Sequence, residues 1–155
     1  NGIQAMDLVG RKLMLDDGKA VADYLEQLRG TARALEASHN LKDLTSGFSE
    51  GVDALAGATH WLQQRVGVDP RDVAAGATPY MQMFGAIAGA GCLADLALAA
   101  EGETSGEWSA EFLQSRATLA RFYIRQLVPP AIGLAAAVTA GADDLFEIEA
   151  SALSS

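Results

Sequence analysis

Apolar positions recur along this chain at alternating steps of three and four residues, the period of a helix with one buried face. They fall into five runs separated by glycine, proline and small polar residues. In the first run, over residues 1–13, Ile3, Met6 and Val9-Gly10 keep helical spacing, and Asn1-Gly2 supplies a capping turn ahead of them. Met14-Leu15-Asp16-Asp17-Gly18 breaks that helix, and Asp16 or Asp17 is placed to cap the next. Val21, Leu25, Leu28, Ala32 and Leu35 then form a single stripe, while Asp23, Glu26, Arg29, Arg33 and Glu36 lie off it as a solvated face.

Ser38-His39-Asn40 reads as the end of the second helix and the cap of the third. The third carries Leu41, Leu44, Phe48, Val52, Leu55, Leu62 and Val66, interrupted by Gly47, Gly51 and Gly57. A helical glycine costs up to about 1 kcal/mol relative to alanine, so glycines on a helix that keeps its period imply close approach of a neighbouring backbone. Gly67 stops this helix, and Asp69-Pro70 starts the fourth with a capping carboxylate and a first-turn proline. Gly76 and Pro79 predict a kink or break, leaving a short helix before a long one.

Tyr80, Phe84, Ile87, Gly91, Ala94 and Leu98 carry the fourth stripe onward, and Gly85, Gly89, Ala90 and Ala94 leave room for another helix. Residues 101–106 are a loop by composition. The last long helix begins at Ser109 and holds Leu113, Ala117, Ala120, Ile124, Leu127, Ala131, Leu134 and Val138 in one phase across Pro129-Pro130. That preserved phase predicts a kinked continuation or two abutting helices. Gly141 ends it, residues 143–146 form a last turn, and 150–155 fray. The expected fold is an all-α antiparallel bundle of four long helices plus a leading short one.

Composition fits that picture. The chain has 155 residues, 50% of them hydrophobic and 20% charged, as in a globular domain. Eleven basic against twenty acidic residues give a net charge of −9. This argues against nucleic-acid binding, which needs a basic surface, and against an electrostatic membrane anchor. The apolar runs 83–100 and 127–142 read as buried core helices; the first contains Asp95 and is rich in alanine and glycine, the second is short and carries two prolines. No signal peptide is visible. A lone cysteine, Cys92, excludes an intramolecular disulfide and points to a reducing, cytoplasmic setting, with the thiol expected to be buried and inert.

Candidate chemistry is sparse. His39 and His60 have no clustered ligand partners, and Glu36-x-x-His39 occurs once where a di-iron bundle needs two copies, so no metal site is expected. Asp16-Asp17 and Asp143-Asp144 sit at presumed helix starts, where capping accounts for them. Tyr24, Tyr80, Tyr123, Trp61 and Trp108 read as core or interface anchors, and Gly85-x-x-x-Gly89 as a packing spacing. Nothing pairs a nucleophile with a base, so no catalytic residue is assigned.

One stretch is more specific. Asn1-Gly2-Ile3-Gln4-Ala5-Met6-Asp7-Leu8-Val9-Gly10-Arg11-Lys12 resembles the segment that follows the catalytic Tyr-Glu-Gly-Thr motif in long-form bacterial acyl-CoA dehydrogenases. Ala77-Thr78-Pro79-Tyr80-Met81-Gln82-Met83-Phe84-Gly85 and Phe122-Tyr123-Ile124-Arg125-Gln126-Leu127-Val128-Pro129, leading to Ala137-Val138-Thr139-Ala140-Gly141-Ala142, resemble the C-terminal helical extension of the same enzymes. The resemblance implies that residues 1–13 end the dehydrogenase α-domain and that 14–155 form the extension. It implies FAD and an acyl-CoA substrate in the full-length protein, with the catalytic glutamate upstream of Asn1. Of these residues only Asn1, Gly2 and Gln4 inherit a flavin-bordering role. The extension is expected to pack on the dehydrogenase core of the same chain and to favour homo-oligomers, with no activity of its own. The alternative is a stand-alone helical ligand-binding or interaction module with an apolar pocket lined by Tyr80, Phe84, Phe122 and Tyr123.

Overall fold

The computed structural model describes residues 2–147 and 150–152. Among these the elements are helical: α1 (Gly2–Gly10), α2 (Lys19–Ala37), α3 (Thr45–Arg65), α4 (Pro70–Glu101), α5 (Ala110–Gln126), α6 (Val128–Thr139) and α7 (Asp143–Phe146). Short 3-10 turns at Lys12–Gly18, Lys42–Leu44 and Ala150–Ala152 complete them. The all-α bundle is as the periodicity predicts, with α6 and α7 as additional separate helices.

The 32-residue α4 is the axis of the fold and packs against α1, α2, α3, α5 and α6. It is long and apolar enough to cross a membrane by length and composition, yet here it is the common neighbour of five helices. Leu35, Phe48, Leu55, Leu62, Tyr80, Met83 and Ile87 are fully enclosed around it. Every member of the α2 stripe is buried, and its charged residues are exposed, as the spacing requires.

Caps read from sequence are present. The Asp69 carboxylate accepts from the Arg71 backbone N–H at 2.9 Å, the Ser109 hydroxyl accepts from Phe112 N–H at 3.2 Å, and Gly141 ends α6 at φ 82°. Ser38 closes α2, and its Oγ accepts from Leu41 N–H at 2.9 Å. The intervening 3-10 turn delays the start of α3 to Thr45, past Leu41.

Several expectations are corrected. Asp16 and Asp17 cap nothing: both have left-handed backbone (φ 52° and 56°), and Gly18 at φ 83° is the residue before α2. Aspartate is among the few side chains that tolerate this region, so the pair builds a tight reversal instead. The amide of Gln63 holds that reversal on α3, donating to the Leu13 carbonyl at 3.1 Å. Pro79 neither breaks α4 nor leaves a separate short helix. Val73 and Ala77 before it, and Tyr80 and Met83 after it, are all buried, so continuity keeps a packing face that outweighs the roughly 3 kcal/mol cost of the proline. Gly76 marks a close approach: a Cβ there would stand 2.6 Å from the Val138 carbonyl oxygen of α6.

The phase across Pro129-Pro130 resolves into two helices with Leu127 at the joint, and Leu127 itself is exposed. Val128 takes the inward place, packed where a Cβ on Gly51 would otherwise lie. Gly57 and Gly85 face open space and so do not admit a neighbour; Gly51, Gly89 and Gly91 do. Cys92 is exposed: Gly91 beside it fills the buried position against Leu28, turning the thiol outward.

Candidate functional site

α1 is held to the bundle by Ala5 and Val9, both fully buried, in its packing on α4. The opposite side of the helix presents Gly2, Ile3, Gln4 and Met6 to solvent, with Ile3 88% exposed. Apolar side chains thus leave α1 in both directions. Of the residues expected to border a flavin, Asn1 lies outside the described residues. Gly2 and Gln4 sit together on the open face. A Cβ on Gly2 would meet nothing within 4 Å, and the Gln4 amide has no hydrogen bond to another described residue.

The far end of α1 is fixed by charge. Arg11 grips Asp7 with two bonds, Nε at 2.7 Å and Nη2 at 3.0 Å, and Lys12 stands 3.5 Å away. The hydrogen bond from Arg11, reinforced by both cations, holds the Asp7 carboxyl below its ordinary range.

The pocket expected of a stand-alone module does not form. Tyr80 is completely enclosed, Phe84 is stacked on Tyr24 at 5.5 Å, and Phe122 is more than half exposed, so these rings do not share a cavity wall. Tyr80 is a structural anchor whose hydroxyl meets that of Thr59 at 2.7 Å, and burial pushes its pKa up to about 12. His60 is exposed and bonded to Gln64 on its own helix at 2.8 Å.

Two polar clusters were not legible beforehand. Asp72, in the first turn of α4, is 6% exposed; its Oδ1 accepts from the Ala142 backbone N–H at 2.9 Å, and Arg65 Nε lies 3.2 Å from its Oδ2. It therefore latches the α6–α7 turn onto α3 and α4. Asp143 and Asp144 do not cap α7, which starts from Ala142 without a side-chain bond. An aspartate early in α4 is readable as a helix-start acid, but its partner lies 70 residues on, beyond any local signal.

The second cluster joins the α2–α3 loop to α4 and α5. Glu101 accepts from Ser38 Oγ at 2.5 Å, from Asn40 N–H at 3.0 Å and from the Asn40 amide at 2.8 Å. Asp43 accepts from Arg121 Nε at 3.0 Å and Arg125 Nη2 at 2.8 Å, and Arg121 also reaches the Asn40 carbonyl. The Ser38 and Arg121 bonds are the leading causes holding Glu101 and Asp43 below their ordinary ranges. Both clusters tie polar groups to one another across helices. Chemically they brace the bundle, and the open face of α1 is one of the exposed apolar surfaces among the described residues.

Compared with known proteins, the chain matches the model of the "Acetyl-CoA dehydrogenase C-terminal like" family over residues 19–149, from the first residue of α2. A relative, the 3-methylmercaptopropionyl-CoA dehydrogenase of Ruegeria pomeroyi, is 31% identical over 134 residues, covering 81% of this chain and 22% of the relative. The chain thus spans about a fifth of the length of that relative.

Proposed function

Because the chain belongs to the acetyl-CoA dehydrogenase C-terminal-like family, and is a C-terminal helical domain of that kind, we propose that it serves a flavin-dependent acyl-CoA dehydrogenase as a packing and assembly module. The observation that carries this reading is the family match across α2–α7, the whole bundle built on α4. The two-sided α1 supports it. A helix with Ala5 and Val9 in one core and Ile3 and Met6 on the other side is suited to lie between this bundle and a dehydrogenase core.

In this reading the full-length protein uses FAD and an acyl-CoA thioester in the cytoplasm. When bound, the flavin supplies the acceptor for the hydride removed in α,β-dehydrogenation. This chain's own part is limited to the edge of that site. Gly2 offers a flat surface with open space beside it, and the Gln4 amide has both a donor and an acceptor free for a polar ring edge. These residues fit a bordering role and no more, so the isolated 155 residues are inactive. The remainder of the chain holds α1 at the angle from which Gly2 and Gln4 face outward.

The test is spectroscopic. The purified chain mixed with FAD and an acyl-CoA should show no retained flavin absorbance after gel filtration and no turnover. A bound, reducible flavin with turnover would overturn the proposal. Reading the coding sequence upstream of Asn1 checks the same point independently: Tyr-Glu-Gly-Thr in frame is the expected result, and its absence removes the dehydrogenase assignment of α1.

A further inference from the structure

The last turns of α4 and the first turns of α5 line a groove of about 270 Å³. Leu96 and Ala99 face it from α4, Phe112 and Arg116 from α5, and Glu103 and Trp108 from the loop that joins the two helices. Small side chains on α4 stand opposite large ones on α5, so the space between them is left unfilled. Its walls are largely apolar: Leu96 and Trp108 are each about half exposed, and Phe112 is open to solvent as well.

The one cation of the groove is held in place and is not neutralised. Arg116 lies with its guanidinium 4.4 Å from the centre of the Phe112 ring, and that ring is stacked on Trp108 at 4.8 Å. Arg116 Nε and Nη2 donate to Ser115 Oγ at 3.1 and 2.9 Å, and Ser115 in turn donates to the Phe112 carbonyl at 2.6 Å. A guanidinium carries five N–H groups, so the end-on fork formed by Nη1 and Nη2 stays open. Each of the other arginines faces a carboxylate. Arg116 has no such partner among the described residues, in a chain with twenty acidic residues against eleven basic. Glu103, the acidic residue of the groove, is bonded instead to the Ser105 N–H at 2.5 Å.

From this geometry we propose that the groove binds a small apolar carboxylate, with its tail against Leu96, Trp108 and Phe112 and its head on the Arg116 fork. A planar anion matches a planar fork, and the aromatic wall beside it screens the pair from water. One cation in a chain of net charge −9 suits a single negative charge better than a phosphate dianion. A cationic ligand would find the Phe112 ring already covered by Arg116. The volume lies near the lower end of what small-ligand sites use, and side chains ordered in advance lower the entropy cost of binding. The site draws on α4 and α5 alone, so it stands or falls separately from the dehydrogenase assignment.

Fluorescence of the whole chain tests this directly. The chain has two tryptophans, so Trp61→Phe leaves Trp108 as the reporter. Octanoate is the probe, with octanol and octylammonium as ligands of the same tail. Octanoate should give a saturable blue shift and bind at least about tenfold more tightly than either comparator. Arg116→Gln should erase the preference for acid over alcohol and leave the helical circular dichroism unchanged. Ala99→Leu, which fills the groove from α4 and keeps Arg116, should weaken octanoate and octanol alike. Phe122→Ser, on α5 but outside the groove, should weaken neither. Equal binding of octanoate and octanol by the parent, an acid preference that survives Arg116→Gln, or indifference to Ala99→Leu would overturn the proposal.

Discussion

Tyr80 shows how one residue joins stability to pH. Its ring is enclosed, and its hydroxyl meets Thr59, which itself donates to the Leu55 carbonyl at 2.8 Å. Tyr80→Phe should cost about 1 kcal/mol, since the Thr59 hydroxyl keeps its second partner. With a folded pKa of about 12 against 10.0 unfolded, the fold favours the neutral phenol. Its contribution is complete below pH 10 and is lost as pH rises toward 12, about 2–3 kcal/mol in all. Urea unfolding followed through the alkaline range should show that decline in the parent and not in the phenylalanine variant. Asp72 is a second decisive position. Asp72→Ala leaves the buried Ala142 N–H without its acceptor and removes the Arg65 ion pair, and should cost about 1–3 kcal/mol, with lost hydrogen-exchange protection at the Ala142 amide. Asp72→Asn keeps an acceptor and should cost less than the alanine.

At the scale of elements, glycines separate into those that admit a neighbour and those that only loosen a helix. Gly76 lies where α4 and the end of α6 nearly touch. Gly76→Ala should therefore destabilise by about 1–2 kcal/mol, the clash with backbone exceeding the gain in helix propensity. Gly57 in α3 faces open space, and Gly57→Ala should stabilise by about 0.5–1 kcal/mol. Opposite shifts in thermal midpoint for the same substitution on adjacent helices would check both. Sequence periodicity gave no means of ranking them, because a Cβ clash depends on the helix that crosses, not on the helix that carries the glycine. Pro79 teaches the same point: propensity argued for a break, and burial on both sides of it overruled propensity.

For the molecule as a whole, carboxylates held by ion pairs and hydrogen bonds set its response to acid. Asp43, Glu101, Asp69 and Asp7 are all held below their ordinary ranges, Asp69 down to about 2 through its bonds from Arg71. A carboxylate with a depressed folded pKa adds stability above its unfolded value and loses it as pH falls through the folded one. Resistance to urea should therefore decline from about pH 4.5 downward and continue to fall toward about pH 2. Asp43→Asn removes the shared partner of Arg121 and Arg125, so it should lower stability at neutral pH and flatten the acid decline. Added salt should shrink the difference between variant and parent, because these groups are substantially exposed.

Much of this architecture was present in the order of residues. The α2 stripe, the Asp69-Pro70 and Ser109 starts and the Gly141 stop are local matters of side-chain period and capping geometry, which neighbours in sequence suffice to determine. The family resemblance read in residues 77–85 and 122–142 is borne out by the match over residues 19–149. What lay out of reach was whatever joins residues far apart in the chain: the hold of Asp72 on Ala142, the clasp of Asp43 with Arg121 and Arg125, and the outward turn of Cys92 and of Phe112, Leu119 and Phe122 on α5. A helix announces that it has an apolar face, but only the packing of its neighbours decides which face is covered and which is left open.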